Sequence, residues 1–520
     1  GEAFVNDDIL TELADGGAST IVKLPLKPRK ASGLRKDLEG FDREFLLFSP
    51  HVSSLILDDR IGQGMLREIT LEVEDSSNGM MGPDPDRGET TWNGEILLTE
   101  GGNSDLHLVL TRMHQPSDAA AEANSALDRS REMVPITWAV PKAGPRELGQ
   151  FWCFFPTNYE TTLRGIVNAP WKTNTDRTQL LPGPFNQELL GIAAELVVEG
   201  IPQLQGLWPD DRCQYLLRLP GRFSGPEPKN WADRRISEQV YVKGSTSETL
   251  PNQDGELKVP TSLHLHPSDP TEEAVQEWAR FPDRPKRWVH ADVQLGNRTD
   301  KRARAARLIK PNNEQMVPEN ITTWLEALVE VKTPEASLAA MRVAAILLPT
   351  LTVNKRPEVL QAKIVLTKGK KFVPPKPGTV FIPGGFDAVE GTVYVHPELA
   401  KEANRDVLEA LEIAEVSPEA ELKKLVEEGF SGASDSSIWQ LVRKIDEVPA
   451  SEILKDSLGS DTPVRVKVAS GTWKRIDSVL LVGDVANVEE DPEVVLDEEW
   501  HAEDLGLLGR LGLADHPRAE

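Results

Sequence analysis

Short stretches of alternating or continuous apolar residues dominate the first 170 positions, as is typical of strands in a sheet. They include REITLEVED, TTWNGEILLTEG, DLHLVLTRM, VPITWAVPK and GQFWCFFPTNYETTLRGIV, and residues 19–26 (STIVKLPL) have the pattern of a buried strand ended by a proline. Helical spacing appears in an alanine-rich stretch, 116–133, and from Asn186 to about Gly200. Strands, helix, strands and helix in this order predict an α+β sandwich.

The second half of the chain has more helical spacing and fewer strands. We predict helices over 271–281 and 321–347, a hairpin within 361–385, helices between 397 and 454, and a last hairpin that turns at Ser470-Gly471. Loop-like stretches at 218–231 and 243–260 mark a boundary. We expect a multi-domain α+β protein divided into residues 1–60, 61–225, 226–395 and 396–520, the last part helical with a terminal hairpin and an acidic tail. We find no repeat of a fixed period.

Composition narrows the class of protein. The 520 residues carry a formal net charge of −25, which repels phosphate backbones and disfavours a general nucleic-acid binder. No run of 18 apolar residues predicts a membrane span. The two cysteines, Cys153 and Cys213, predict neither a disulfide framework nor a zinc site. With an acidic start that lacks a signal peptide and an initiator methionine, we expect a cytoplasmic protein that is a piece of a longer one.

One polar loop stands out between two apolar elements. It runs through NAPWKTNTDRTQLLPGPFNQELL, residues 168–190, and holds Lys172 and Arg177. The spacing predicts that Asn186 caps the following helix, with Glu188 in the first turn. Phe185 and Leu190 have the spacing of a hydrophobic staple. Trp171, Leu180 and Leu181 offer apolar anchors for the loop.

Two interpretations of this loop compete. A lysine is a mobile point charge and an arginine a planar fork, and both can bind a phosphate beside the amide groups of a helix N-terminus. One lysine and one arginine in a surface loop are, however, usually only solvated, and Asp176 lies close enough in sequence to pair with either. Composition alone favours the second interpretation.

A resemblance to a known family favours the first interpretation, a phosphate contact. Residues 151–190 (FWCFFPTNYETTLRGIVNAPWKTNTDRTQLLPGPFNQELL) resemble the segment that follows the ATP-binding domain in bacterial sacsin-like proteins, which are relatives of the heat-shock-ninety chaperones in the GHKL superfamily. Residues 16–26 (GGASTIVKLPL) resemble the last strand of that ATP-binding domain. FDREFLLFSPHVSSLILDD resembles the connection after it. The resemblance implies that 1–60 is the end of an ATP-binding domain and 61–225 a middle, or transducer, domain.

In such proteins the middle domain contacts the γ-phosphate of ATP and couples nucleotide state to conformational change on a protein client. Gln187 occupies the position of the chaperones' arginine, whereas WKTN, residues 171–174, resembles the Gln-Thr-Lys loop that makes the contact in gyrase-like members. The resemblance therefore makes Lys172 the first candidate for this contact and Arg177 the second. Gln187 remains able to donate a neutral hydrogen bond. Thr173, Asn174 and Asn186 are the accompanying nucleotide-binding candidates, and no residue is assigned to a metal.

The chain also departs from the sequence pattern of this family. The superfamily binds ATP and Mg²⁺ with a Glu-x3-Asn helix, an Asp-x-Gly turn and a glycine-rich lid, and none of these precedes residue 16; DDRIGQGMLRE, residues 58–68, lacks the helix. ATP and Mg²⁺ would then be bound mainly by an upstream region, and this chain alone should not hydrolyse ATP. The alternative is a non-catalytic protein-interaction scaffold. Expected partners are a protein client or a partner domain, with no membrane and no nucleic acid; homo-oligomerisation stays open.

Two histidines raise a separate question. His264 and His266, in SLHLHP, would share one face of a strand, which could suit a metal ion. No cysteine or carboxylate cluster is close in sequence, so we interpret them as paired surface histidines.

Overall fold

The computed structural model confirms a mixed α+β protein. It describes residues 8–22, 31–58, 66–73, 82–83, 88–124, 133–143, 148–221, 230–311, 319–376, 379–383, 393–415, 417–427, 429–431, 433–458, 463–482 and 491–513. The chain forms two compact units. Unit 1 comprises residues 1–250, 257–261 and 299–314, and unit 2 comprises 251–256, 262–298 and 315–520.

Unit 1 is built on one sheet of eight strands. They are β1 (Ser54–Asp58), β2 (Leu66–Val73), β3 (Thr91–Glu100), β4 (Asn103–His114), β5 (Val134–Pro141), β6 (Gly149–Cys153), β7 (Phe155–Thr161) and β8 (Ile166–Asn168). Their order is β1-β2-β3-β4-β5-β8-β6-β7. All neighbours are antiparallel except β6 and β8, which run parallel. The strands predicted from alternation are therefore present.

Helices complete unit 1. They are α1 (Asp8–Asp15), α2 (Ala31–Glu39), α3 (Asp118–Ala123), α4 (Pro184–Glu199), α5 (Ile201–Gly206), α6 (Trp231–Gly244) and α8 (Arg298–Ile309), with 3-10 helices at Arg43–Phe48 and Gln214–Arg218. Between α6 and α8 the chain forms the short strands β9 (Leu250–Pro251) and β10 (Leu257–Lys258) and the helix α7 (Glu272–Arg280).

Alternation along the strands buries both faces of the sheet. Val109 of β4 packs in one apolar cluster with Leu47 and Phe48 of the 3-10 helix. The next residue, Leu110, points the other way: a Cβ at Gly200, just after α4, would lie 2.6 Å from its Cδ2. Successive side chains of a strand point to opposite faces, so the 3-10 helix covers one face and α4 the other.

Two predicted elements of unit 1 differ from the structure. Residues 19–22 were expected to begin a buried strand, but they are irregular and exposed, and 23–26 lie outside the described residues. The helix expected over 116–133 is only the six residues of α3, capped by the Ser117 side chain; residues 125–132 lie outside the described part. Alanine-rich composition favours a helix but does not set its length.

Unit 2 is mainly helical. Its remaining helices are α9 (Ile321–Leu328), α10 (Pro334–Thr350), α11 (Arg356–Gln361), α12 (Arg405–Ala410), α13 (Pro418–Glu427), α14 (Asp435–Val442), α15 (Glu447–Lys455) and α16 (Leu505–Arg510). Its strands form the two predicted hairpins: β11 (Val365–Leu366) with β12 (Phe372–Val373), and β13 (Arg465–Lys467) with β14 (Trp473–Arg475). One core cluster spans residues 274–413 and another spans 422–513.

The single helix predicted over 321–347 is two helices. A 3-10 turn, Val329–Val331, follows α9, and Lys332 then adopts a left-handed backbone with φ of 55°. Thr333 begins α10 by accepting a hydrogen bond from the Ala336 amide. The apolar spacing is similar on both sides of this break, so periodicity alone did not reveal it.

One backbone motif occurs three times in unit 2. In each copy a tight turn closes with two amide-to-carbonyl bonds, from Asn252 to Glu256 and from Gly255 to Asn252 in the first copy. The second copy pairs Thr367 with Lys371 and Lys370 with Thr367, and the third pairs Val468 with Thr472 and Gly471 with Val468, in the same donor order. The copies are unequally spaced along the chain, so the sequence shows no repeat of a fixed period, although Val-His occupies equivalent positions at 289–290 and 395–396.

In each copy, a segment later in the chain then forms a backbone hydrogen bond with the segment that follows the turn. The amides of Val289, Val395 and Leu496 donate to the carbonyls of His264, Phe381 and Leu480 in the three copies. In each copy the next residue accepts a backbone amide through its side chain. His290 and His396 accept the amides of Asp292 and Glu398, two residues ahead, through Nδ1, and Asp497 accepts the amide of Trp500, three residues ahead. Unit 2 is therefore organised around three copies of one motif.

Within the described residues, no helix is long and apolar enough to cross a membrane.

Candidate functional site

The polar loop begins inside the core of unit 1. It leaves β8, which lies between β5 and β6 in the sheet. The Ala169 amide donates to the Trp152 carbonyl at 3.1 Å, and Trp171 is buried edge-to-face against Phe151. Trp171 and Leu180 are buried anchors as predicted, whereas Leu181 is exposed.

The loop folds into a small hairpin beside β7. Thr173 and Leu180 form an antiparallel bridge, and the Arg177 amide donates to the Asn174 carbonyl at 3.0 Å. The side-chain oxygen of Asn174 accepts the amide of Thr178 at 2.9 Å. The Thr178 carbonyl in turn accepts an amide from Asn158 of β7 at 2.9 Å. Backbone pairing therefore holds most of the loop in one conformation.

Asn186 anchors the base of this hairpin. Its side-chain oxygen accepts the Lys172 amide at 2.9 Å, and its amide group donates to the carbonyls of Lys172 and Leu181, both at 2.8 Å. Only 1% of Asn186 is exposed. The prediction that Asn186 caps the helix is wrong, because α4 begins at Pro184 with Gly183 as its N-cap residue. A proline at the first helical position starts the helix earlier than the asparagine signal suggested.

Glu188 and Phe185 also differ from prediction. Because α4 begins at Pro184, Glu188 lies beyond its first turn. The Glu188 carboxylate instead accepts hydrogen bonds from the Ser117 amide at 2.8 Å and from the Ser117 hydroxyl, and it contacts Nε2 of His114 at 2.7 Å. Burial opposes ionisation of Glu188, but these hydrogen bonds outweigh it and lower its pKa. Glu188 therefore joins α4 to the segment before α3, and Phe185 is buried within the helix.

The ammonium group of Lys172 is already engaged. Its Nζ donates to the Ala123 carbonyl at the end of α3, at 2.5 Å. The side chain is half-buried. Lys172 therefore ties the loop to α3.

Arg177 lies at the tip of the hairpin and is exposed together with Thr175 and Asp176. Its backbone is left-handed, with φ of 56°. In the part of the chain that the structure describes, its guanidinium forms no ion pair. Burial raises the pKa of the Cys153 thiol, and the positive charge of Arg177 partly offsets this. Arg177 is the cation that the folded loop presents.

The six predicted site residues thus have three kinds of position. Thr173, Asn174 and Asn186 build the hairpin through their backbone or amide groups, and Lys172 is tied to α3. Arg177 and Gln187 are exposed. Among the described residues, no group of three or more histidine, cysteine or carboxylate side chains is placed to hold a metal ion. No protein-family model, curated protein or solved structure matches the chain.

Replacing Asn186 by alanine should loosen the loop without unfolding the sheet. The change leaves the Lys172 amide and the Leu181 carbonyl without the Asn186 side chain, while the Lys172 carbonyl keeps the Leu181 amide as a donor. We expect a loss of roughly 2–3 kcal/mol in the free energy of unfolding. Amide hydrogen exchange at Lys172 should accelerate markedly. Gln187→Ala, one residue on and exposed, is the matched control. Equal exchange in the two variants would contradict the anchoring role.

Proposed function

We propose that unit 1 acts as the transducer part of a chaperone-like ATPase and that Arg177 contacts the γ-phosphate of a nucleotide bound by a neighbouring module. The observation that supports this is the presentation of Arg177. An exposed guanidinium stands at the tip of a loop whose base is fixed by the buried Asn186. A preorganised cation stabilises the charge that develops on a transferring phosphoryl group.

Of the two cations, the contacts favour Arg177. Using Lys172 would require breaking its bond to the Ala123 carbonyl. A planar guanidinium can also bind two phosphate oxygens at once, which an ammonium group does less specifically. Under this proposal ATP and Mg²⁺ are held mainly outside this chain, and nucleotide state is passed to a client through movement of the rigid loop and its sheet. A cytoplasmic location belongs to the same proposal.

The test is ATP turnover by the protein expressed from its complete reading frame. Arg177→Ala should lower kcat roughly 100-fold, the typical loss for one preorganised charge donor. Arg177→Lys should recover only part of it. Lys172→Ala should stay within a few fold of the wild type.

Arg235→Ala, an exposed arginine on α6, is the matched control for removal of a surface charge. Turnover that is unaffected by Arg177→Ala would contradict the phosphate contact. If the complete protein does not hydrolyse ATP at all, the alternative, a non-catalytic interaction scaffold, replaces the proposal.

A further inference from the structure

An open cavity in unit 1 is a second candidate binding site. Between α2, the 3-10 helix after it and the sheet edge lies an open cavity of about 290 Å³. Aromatic rings line it: Phe41, Phe45, Trp152 and Phe155. The proposed phosphate contact does not use it.

The rings form a continuous wall. Phe45 stacks on Phe155 with 5.3 Å between ring centroids, and Phe41 meets Phe45 edge-on at 5.7 Å. Trp152 closes the floor and is buried, while Phe155 stays 52% exposed on the edge strand β7. Phe155 therefore leaves an exposed ring at the edge of the cavity, with one face against Phe45.

An exposed carboxylate, that of Asp42, lines the cavity beside these rings. Asp42 lines the cavity and precedes the 3-10 helix, yet its side chain makes no capping hydrogen bond. Burial raises the pKa of Asp42, the neighbouring charge of Glu44 raises it further, and Arg67 partly opposes them. Asp37 adds a second carboxylate to the lining, and Lys36 a single cation. Asp42 forms no ion pair within the described part of the chain.

We infer that this cavity binds an arginine side chain of a partner polypeptide, held between the aromatic rings and the Asp42 carboxylate. Aromatic faces attract cations, and a guanidinium can stack on a ring while its edge donates to a carboxylate. The two lining carboxylates outnumber the one lining cation. Arg67, the further cation that acts on Asp42, is already bonded to Glu100 and to the Phe41 carbonyl, so the lining complements an added cation. Because the rim is open at Phe155, a chain can lie across it with one side chain inserted.

Peptide binding to the full chain tests this. The probe is a fluorescent 12-residue peptide of glycine and serine with one central arginine, and its twin carries citrulline, which keeps the shape but not the charge. Fluorescence anisotropy at low salt should show at least tenfold tighter binding of the arginine peptide. Phe155→Ala should weaken that binding about fivefold, and Asp42→Asn by a similar factor.

Matched controls lie nearby. Phe154→Ala removes an adjacent exposed ring outside the lining, and Asp176→Asn removes an exposed carboxylate of the polar loop. Neither should change affinity, and melting curves should show that all four variants fold. Equal binding of the arginine and citrulline peptides, or equal losses in Phe155→Ala and Phe154→Ala, would overturn the inference. Tighter binding of free arginine amide than of the peptide would overturn the polypeptide as occupant.

The two proposals fail separately. Arg177→Ala should leave peptide binding unchanged, since Arg177 does not line the cavity, and Phe155→Ala should leave the phosphate contact intact.

Discussion

His266→Ala is expected to destabilise unit 2 by about 3–5 kcal/mol, as for a large buried ring replaced by alanine. His266 is fully buried among the rings of Trp278, Trp288 and Trp324, with centroid distances of 5.3, 5.6 and 5.9 Å. Its Nδ1 accepts the indole N–H of Trp324 at 2.9 Å, and its Nε2 donates to the Val289 carbonyl at 2.7 Å. Alanine would leave a cavity and remove the partner of the Trp324 indole N–H, while the Val289 carbonyl keeps the Gln253 side-chain amide as a donor.

The matched control is His264→Ala, two residues earlier. His264 rests on the same ring, Trp288, but its side chain is 42% exposed and pairs with Glu319 at the surface. We expect a loss below 1 kcal/mol there. Thermal melting followed by tryptophan fluorescence distinguishes the two, and equal melting temperatures would contradict the role given to His266. The interpretation of both histidines as surface residues was wrong for His266.

Arg443→Ala should also cost about 3 kcal/mol, because it removes the cation paired with the buried Asp504 carboxylate, although the Arg443 side chain itself is 26% exposed. The guanidinium donates to Asp504 through Nε at 3.0 Å and Nη2 at 2.8 Å, and Nη2 also reaches the Trp500 carbonyl at 2.7 Å. Asp504 is buried and contacts Nδ1 of His501 at 2.8 Å. Without Arg443, the buried Asp504 carboxylate keeps its contact with His501 but loses its hydrogen bonds from the guanidinium. Arg405→Ala, which breaks exposed pairs with Glu409 and Glu415, is the control.

The loss of stability in Arg443→Ala should depend on pH. Burial disfavours the ionised form of Asp504, but the hydrogen bonds from His501 and Arg443 outweigh it and lower its pKa. A carboxyl group whose pKa is lower in the folded state stabilises the fold above its unfolded pKa, near 3.9, and this contribution is lost as pH falls through the folded pKa. The difference between wild type and Arg443→Ala should therefore be largest at neutral pH and shrink in acid. A difference that stays constant down to pH 2 would contradict the ion pair as its source.

Local pattern was sufficient for much of the fold. Alternation located β2, β3, β4 and β5, and the Ser470-Gly471 turn located the final hairpin, because a strand with one buried face or a tight turn leaves a signal within a few residues. It failed at residues 19–22, where apolar side chains are exposed. It also failed at the start of α4, where Pro184 and Gly183 set the boundary ahead of Asn186.

For the candidate site, the chain itself indicated the position of the polar loop and the residues that compete for a phosphate. It could not rank Lys172 against Arg177, because the partner of Lys172 is a carbonyl 49 positions away. Nor could it show that Asn186 closes the loop. The aromatic wall of the arginine cavity likewise joins residues near 41–45 to others near 152–156.

The amino-acid sequence by itself determined the α+β class, most strands, the two hairpins in unit 2 and the place of the loop, since these depend on neighbours along the chain. Only the tertiary structure decided which cation is presented, which histidine is buried, and that one motif occurs three times. These depend on contacts between residues far apart in the chain. The folded chain brings these residues together, and their spacing along the sequence does not predict these contacts.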